Sequence, residues 1–393
     1  MNKALKLALL AVAITSSSLA QAESVKIAFL GGFTGPLESL TPPIHAGAML
    51  AIEQVNAQGA LIELLKGDST CADATAASNV ADRMVNSKNV VAMVGPMCSG
   101  ATIAAANNAT IPAGVVMISP SATSPALTEL KDNDLVFRTA PSDAYQGVMM
   151  AEMLKRKGIN EIAITYVNND YGKGFAEALA GAYEAVGGTV AANEAHEDGK
   201  ADYRAEVGSL ASTGAETLVV LAYADGSGQT IIRQAMESGD FLKFVGGDGM
   251  VGDKLIAALG GDIDMIATKP GSPGLVGKAL FVEAALAAGM DPDAVFSAQA
   301  YDAAFILALA IEKAGSTDRA AIAKEVRSVA SAPGEIILPG EFAKAAAAIK
   351  AGRDINYQGA SGDHEFDAAG DVPGVIVEMA VVGGQFVEVG ILD

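Results

Sequence analysis

The sequence predicts an α/β protein made of two doubly wound lobes with parallel sheets and a ligand cleft between them. Short runs rich in Val and Ile alternate with longer Ala-rich stretches of helical spacing, which is the pattern of successive βαβ units. The 393 residues exceed one domain of roughly 150 residues, so two lobes are expected. Aromatic residues are only 5% of the chain and Trp is absent, as is typical where helices pack closely on aliphatic parallel strands.

The first series of elements begins with a strand at residues 25–31. An amphipathic helix follows at 43–56, where Pro42 and Pro43 suit the first helical turn. The series continues with a strand before Asp68, a helix at 74–86, a strand at 90–94, a helix after Ser99 and a strand at 115–119. These elements complete one doubly wound lobe.

The pattern restarts after residues 136–141, which run extended into a proline. The second series comprises a helix from Ala144 to Lys155, a strand at 161–167, a helix at 173–186, a strand at 217–223, a helix at 228–238, a strand at 241–246, a helix after Val251 and a strand near Met265. Residues 268–274 are rich in Gly and Pro, which predicts a linker.

The stretch after this linker contains three helices, at 276–288, 298–314 and 318–330, with hardly a strand between them. Because helices alone cannot build an α/β lobe, we expect them to cover the first sheet. Residues 375–389 hold two alternating strands joined at Gly383-Gly384, which would complete the second lobe. Lobe one is therefore predicted to be 23–140 plus 271–366, and lobe two 141–270 plus 367–393, with three crossings near 139–142, 268–271 and 366–371.

Residues 1–22 have the features of a secretory signal peptide. Lys3 and Lys6 precede an apolar core at 7–14, and Ala20-Gln21-Ala22 is a small-residue cleavage site. A membrane anchor is the alternative, but this core is shorter than the about 20 residues that span a bilayer. We expect cleavage after Ala22 and an exported mature chain.

Acidic residues outnumber basic ones strongly. Asp and Glu total 46 against 26 Lys and Arg, which gives a formal net charge of −20. A chain with this charge repels the phosphates of nucleic acids and anionic lipid headgroups. We therefore expect no nucleic-acid partner.

Cys71 and Cys98 are the only cysteines. In an exported chain, such a pair favours a disulfide over two free thiols. None of the three histidines, His45, His196 and His364, has metal-ligand spacing to a cysteine or to another histidine. A metal site is therefore not expected.

Three predicted strand-to-helix loops carry the polar residues most suited to a ligand, since ligands of open parallel sheets bind beyond the strand ends. Ser99 and Thr123 could hold a carboxylate together with nearby backbone N–H groups, or both could be ordinary helix N-caps. Asp248 lies between glycines and could bind an ammonium group, or it could be a turn residue.

Residues of the second lobe and of the first long loop could complete this site. Tyr171 and Tyr223 end lobe-two strands and could close over an apolar ligand side chain, or pack on the surface. Glu38 and Ser39 follow the first strand and could contact the ligand or be solvated. No Gly-x-Ser-x-Gly or His-Glu-x-x-His motif is present, so we expect neither catalysis nor a cofactor.

Several motifs together resemble the periplasmic leucine/isoleucine/valine-binding protein family, the class I solute-binding components of ATP-driven amino-acid importers. The resemblance rests on residues 24–35, the two cysteines, Cys98-Ser99, 118–125, 169–172, 232–235 and 247–249. It implies two lobes joined by three strands that close over one amino acid, and a disulfide between the matching cysteines. It also implies a periplasmic location, a monomer without cofactor and a membrane permease as partner.

The family's ligand-binding residues carry over to matching positions. In the Ser121-Ala122-Thr123 stretch, the resemblance assigns Thr123 and the backbone of Ser121, together with Ser99, to the ligand carboxylate. It assigns the ammonium group to Asp248, where the best-known members have Glu. Tyr171 and Phe296 match pocket positions, and Tyr223 matches to within one residue.

One departure from the family affects specificity. Leu40 stands where the family has an aromatic residue, and Glu38 and Ser39 beside it would admit a polar ligand.

Two functions are consistent with these residues and with the resemblance. The first is a transport binding protein for an aliphatic or branched-chain amino acid, in which Asp248 faces water between open lobes until ligand arrives. The second is a sensory or regulatory binder of another small carboxylate.

Overall fold

The computed structural model describes residues 24–261 and 263–393. The predicted signal peptide lies outside these residues. Within them the strands, in chain order, are β1 Val25–Gly31, β2 Ile62–Asp68, β3 Ala92–Val94, β4 Val116–Ser119, β5 Val136–Arg138, β6 Glu161–Val167, β7 Thr189–His196, β8 Thr217–Leu221, β9 Lys243–Gly246, β10 Asp264–Pro270, β11 Glu335–Ile337, β12 Ile355–Tyr357, β13 Ile376–Val382 and β14 Gln385–Leu392.

Helices separate most of these strands. In chain order they are α1 Thr41–Ala57, α2 Ala74–Asp82, α3 Ser99–Ala105, α4 Ile111–Ala113, α5 Asp143–Arg156, α6 Asp170–Ala185, α7 Arg204–Ala211, α8 Ser227–Ser238, α9 Asp253–Ala258, α10 Val276–Ala287, α11 Ser297–Ala314, α12 Arg319–Ala330 and α13 Phe342–Lys350. None of the helices in the described ranges combines the length and the apolar character needed to cross a bilayer.

The first sheet has five parallel strands in the order β2-β1-β3-β4-β5. Its order reverses beside β1, which places the loops after β1 and β3 on either side of a crevice. Helix α11 packs against α1 and against β3 and β4, and the stretch from Ser297 to Ala310 is wholly buried. A helix that is buried on all sides belongs inside a protein, so α11 covers the first sheet.

The second sheet is mixed rather than purely parallel. Its order is β14-β13-β10-β9-β8-β6-β7, and β13 pairs antiparallel with both β10 and β14. The predicted hairpin is confirmed: Gly383 and Gly384 have φ angles of +60° and +85°, a conformation that two-residue hairpin turns require and that glycine adopts without strain. This hairpin completes the lobe as an antiparallel edge on an otherwise parallel sheet.

Further differences concern weakly patterned segments. The edge strand β7 was not predicted, because its sequence Thr-Val-Ala-Ala-Asn-Glu-Ala-His lacks a long apolar run, and only its last residue is buried. The short parallel pair β11 and β12 and the helix α13 were also missed, in a stretch expected to have hardly a strand. Residues 268–270 of the predicted linker belong to β10, where Pro270 ends the strand next to β13.

The predicted disulfide is confirmed. Cys71 follows β2 and is bonded to Cys98, which immediately precedes α3. The bond therefore joins two neighbouring loops at the carboxyl edge of the first sheet, one residue before Ser99.

Candidate functional site

A small cavity of about 20 Å³ lies between the carboxyl edges of the two sheets. The first sheet and its helices contribute an apolar wall with two hydroxyl residues, and the second sheet contributes two tyrosines and an acid. The lining residues are Leu37, Leu40, Ile44, Met97, Cys98, Ser99, Ser121, Tyr171, Tyr223, Asp248, Gly249 and Phe296.

The structure brings most of the predicted site residues together at this cavity. Six of them line it: Ser99, Ser121, Tyr171, Tyr223, Asp248 and Phe296. Ala122 and Thr123 are buried behind this lining. The Ala122 N–H donates to Ser119 Oγ at 3.0 Å, whereas the Thr123 hydroxyl oxygen is buried without a hydrogen-bond partner.

Neither Ser99 nor Thr123 is a side-chain N-cap, so that alternative is wrong. Cys98 occupies the N-cap position of α3 without a side-chain bond, and Ser99 is the first helical residue. Its Oγ accepts the backbone N–H of Ser124 at 3.2 Å. Ser124, not Thr123, caps the short turn that follows β4. The Ser99 hydroxyl is therefore tied to the neighbouring loop and keeps its own hydrogen for another acceptor.

Asp248 is buried rather than exposed to water, which corrects the expectation of an open cleft. Only 3% of it is accessible, in the short helical turn after β9. Its Oδ1 accepts a hydrogen bond from Gln146 Nε2 at 3.2 Å and one from the Tyr171 hydroxyl at 3.2 Å. The Tyr171 hydroxyl in turn accepts the Gly249 N–H at 3.2 Å. Tyr171 thus fixes the loop that carries the acid.

A second buried carboxyl, Asp143, accompanies Asp248. It lies in the first turn of α5, and both of its oxygens are buried without a hydrogen-bond partner. Burial raises the pKa of Asp248 to about 7. Burial and the charge of Asp248 raise the pKa of Asp143, against the opposing charge of Arg138. Two such carboxyls attract a cationic group, because a cation would stabilise both charged forms.

Sequence reasoning missed Asp143 and Gln146 for a physical reason. An Asp directly after Ser142 has the usual position of a helix-start acid, which interacts favourably with the helix dipole. Gln146 lies one turn further along the same helix. Nothing in their spacing indicates that this particular helix starts at the cleft between the lobes.

Three aromatic residues line the cavity, two tyrosines from lobe two and Phe296 from lobe one. The rings of Tyr171 and Tyr223 are stacked, with centroids 5.2 Å apart and planes 14° from parallel. Phe296 reaches the cavity from lobe one at a positive φ of +59°, immediately before α11. These rings and the aliphatic side chains opposite them make this part of the cavity wall apolar.

The loop after β1 contacts the second lobe, which closes the cavity. The Ser39 N–H donates to Asp225 Oδ2 at 2.8 Å, and the Asp225 N–H donates to the Pro36 carbonyl at 3.0 Å. Leu40 is buried in the cavity wall, whereas Glu38 is exposed and is not part of the lining. On the other side, the Asp143 N–H donates to the Thr123 carbonyl at 2.8 Å. The structure is therefore a closed arrangement of the lobes.

Curated proteins of two bacteria are similar to this chain in sequence. The leucine-, isoleucine-, valine-, threonine-, and alanine-binding protein of Pseudomonas aeruginosa is 34% identical over 330 residues, which cover 82% of this chain and 87% of that protein. The Leu/Ile/Val-binding protein of Escherichia coli K12 is 29% identical over 324 residues, which cover 81% of this chain and 86% of that protein.

Solved structures agree with the fold. A leucine-binding protein of Thermotoga maritima has a TM-score of 0.80 at 26% identity, and the match covers 94% of this chain and 99% of that one. A branched-chain amino acid transporter substrate-binding protein of Streptococcus pneumoniae in complex with isoleucine has a TM-score of 0.75 at 24% identity, with 93% and 100% covered. A family model described as "Periplasmic binding protein" matches residues 24–372. The chain therefore belongs to the periplasmic binding protein family.

Proposed function

We propose that this protein captures one α-amino acid with an aliphatic or branched side chain by closure of its two lobes, and delivers it to the permease of an ABC importer. One observation carries the proposal. The Ser99 hydroxyl from lobe one and the Asp248 carboxyl from lobe two line the same cavity, whose remaining wall is mostly apolar. A zwitterion with an apolar side chain matches that distribution of groups.

Opposite ends of the ligand would contact opposite lobes. Ser99, Thr123 and the backbone at Ser121 take the carboxylate, and Asp248 takes the ammonium group. Burial and the charge of Asp248 raise the pKa of the neighbouring Asp143 carboxyl, which favours its neutral form and leaves Asp248 as the charged partner of the ammonium group. Closure is then favoured by ligand, since only the closed arrangement brings both sets of groups to one molecule.

The side chain of the ligand would occupy the space between the aromatic and aliphatic residues. Leu37, Leu40, Ile44 and Met97 provide an apolar surface there. The relatives named above bind leucine, isoleucine and valine by name. The exposed position of Glu38 supports an apolar rather than a polar ligand side chain.

The remaining properties follow from this role. The protein is exported to the periplasm after cleavage behind Ala22, acts as a monomer without catalysis and has no nucleic-acid partner. Its lobes divide at residues 140/141, 270/271 and 366/367, close to where the chain leaves one sheet for the other.

Calorimetric titration with the twenty amino acids and their 2-keto analogues tests the ligand class. We expect leucine, isoleucine or valine to bind best and the 2-keto acids to bind at least about a hundredfold more weakly, because they leave a buried carboxylate unpaired. Equal binding of amino and 2-keto acids would contradict the proposed site. Small-angle scattering with and without saturating leucine measures how far the ligand shifts the population towards this closed arrangement.

The transport role needs a separate experiment, because a sensory protein of the same fold would also bind amino acids. Uptake of labelled leucine should be lost on deletion of the chromosomal copy and restored by the wild-type chain but not by its Asp248→Asn variant. The sensory role would be favoured if the deletion strain takes up leucine normally but no longer changes its gene expression in response to leucine.

A further inference from the structure

Arg138 is a buried guanidinium that lies outside the cavity. It ends β5, where the chain begins its first crossing, and only 1% of it is accessible. Its Nε and Nη2 donate to the two oxygens of Asp371 at 2.6 Å and 2.7 Å. Asp371 lies between β12 and β13, in the third crossing. This bidentate pair fixes the first and third crossings to each other.

The other side of the same guanidinium holds the loop after β4. Arg138 Nη1 donates to the carbonyl oxygens of Thr123 at 2.9 Å and Ser124 at 3.0 Å. A trans peptide directs its C=O and its N–H in opposite directions. The Thr123–Ser124 peptide therefore directs its oxygen towards Arg138 and its N–H, which belongs to Ser124, away from Arg138. This N–H donates to Ser99 Oγ at 3.2 Å.

Arg138 and Ser99 thus bind opposite ends of one peptide unit. Because the Ser99 oxygen already accepts a hydrogen bond, the orientation of its hydroxyl is restricted. Within the described part of the chain, that hydroxyl donates to no side-chain or backbone acceptor, and Ser99 lines the cavity. Its hydrogen remains available for a ligand.

We propose that Arg138 is a positioning residue for amino-acid binding, which orients the Ser99 hydroxyl through the Thr123–Ser124 peptide and ties it to the third crossing through Asp371. This inference rests on the proposed function. It explains how a cavity whose lining contains no Lys or Arg presents ordered donors to a carboxylate: the cation lies behind the loop and acts through the loop's peptides.

The first test compares L-leucine with L-leucinamide, which keeps the ammonium group and side chain but has no carboxylate. Arg138→Lys retains the charge but loses the forked geometry. We expect it to weaken leucine binding by about tenfold or more, as for loss of one well-placed hydrogen bond to a charged group, and to leave leucinamide binding almost unchanged. A merely structural role would weaken both ligands equally.

The second test is a double-mutant cycle between Arg138→Lys and Ser99→Ala. If Arg138 acts through Ser99, its replacement should have little effect once the Ser99 hydroxyl is gone, so the two losses are not additive. The Asp371→Asn variant retains Arg138. It should lower the ratio of leucine to leucinamide affinity, as Arg138→Lys does, but by a smaller factor. Arg204→Gln, an exposed position on lobe two, is the matched control and should change nothing.

Thermal unfolding and circular dichroism show which variants are folded. If Arg138→Lys does not fold, Asp371→Asn is the milder change with which the comparison is made. An unchanged ratio of leucine to leucinamide affinity in the folded variants, or additive losses in the cycle, would overturn the inference and leave the proposed function standing. A wild-type protein that binds no leucine would instead overturn the proposed function and this inference with it.

Discussion

Tyr171 and Asp248 are joined at the cavity wall by a hydrogen bond of 3.2 Å from the phenol to the carboxylate Oδ1. The same hydroxyl accepts the Gly249 N–H, so the ring holds both the acid and the backbone beside it. A sequence-based interpretation treats Tyr171 as a cover for the ligand side chain. The structure adds a second role, in which the phenol orients the acid that meets the ammonium group.

Tyr171→Phe should weaken leucine binding by about ten- to hundredfold, because it removes a hydrogen bond to a charged group and leaves the Gly249 N–H unpaired. The ring remains, so the stacking on Tyr223 is kept. Titration calorimetry measures the change. Tyr166→Phe is the control, since Tyr166 lies in β6 away from the cavity lining; equal effects of the two substitutions would refute the role of the Tyr171 hydroxyl.

Asp248→Asn should weaken leucine binding by two to three orders of magnitude, since removing one partner of a buried ion pair costs roughly 3–5 kcal/mol. The ligand-free protein should become more stable at pH 8. The Asn carbonyl still accepts from Gln146 and Tyr171, and the variant no longer buries a charge whose pKa is raised to about 7. Thermal unfolding with and without leucine checks both effects. Normal leucine affinity would refute the assignment of the ammonium site.

Binding should tighten as pH rises from 6 to 8. Burial raises the pKa of Asp248 to about 7, and the ammonium group needs the ionised form, so affinity at pH 6 should be about tenfold below its plateau. The stability of the ligand-free protein should change in the opposite direction. A carboxyl with a raised pKa in the folded state favours folding at low pH, and this contribution is lost as pH rises from about 4 towards 7.

Titrations at several pH values, in buffers of different ionisation enthalpy, measure the protons released on binding. We expect release near pH 7 and almost none near pH 8.5. The Asp248→Asn variant should lose most of the dependence. A flat affinity profile in the wild-type protein would show that Asp248 is already ionised before ligand binds.

Much of the fold and part of the site can be predicted from the sequence, because both depend on local patterns. The strands near the centre of each sheet are apolar runs, and the loops that carry Ser99 and Asp248 follow them directly. The edge strand β7 and the helix start at Asp143 have no such signal. Their roles depend on which elements become neighbours, as do the Arg138–Asp371 pair and the contact between Ser39 and Asp225.

Leu40 should determine the size of the preferred ligand side chain. It is buried in the cavity wall, and a side-chain carbon added at Gly252 would lie only 2.8 Å from its Cδ2, so it also fills the contact between the lobes. Leu40→Ala removes apolar contact from small ligands and enlarges the cavity. We expect valine and leucine to bind roughly tenfold or more weakly, while phenylalanine gains relative to both. Competition titrations measure the ratios of phenylalanine affinity to valine and leucine affinity. Leu242→Ala is the control, because Leu242 is 65% exposed on lobe two. If the ratio of phenylalanine to valine affinity does not rise, the side chain of the ligand lies elsewhere in the cavity.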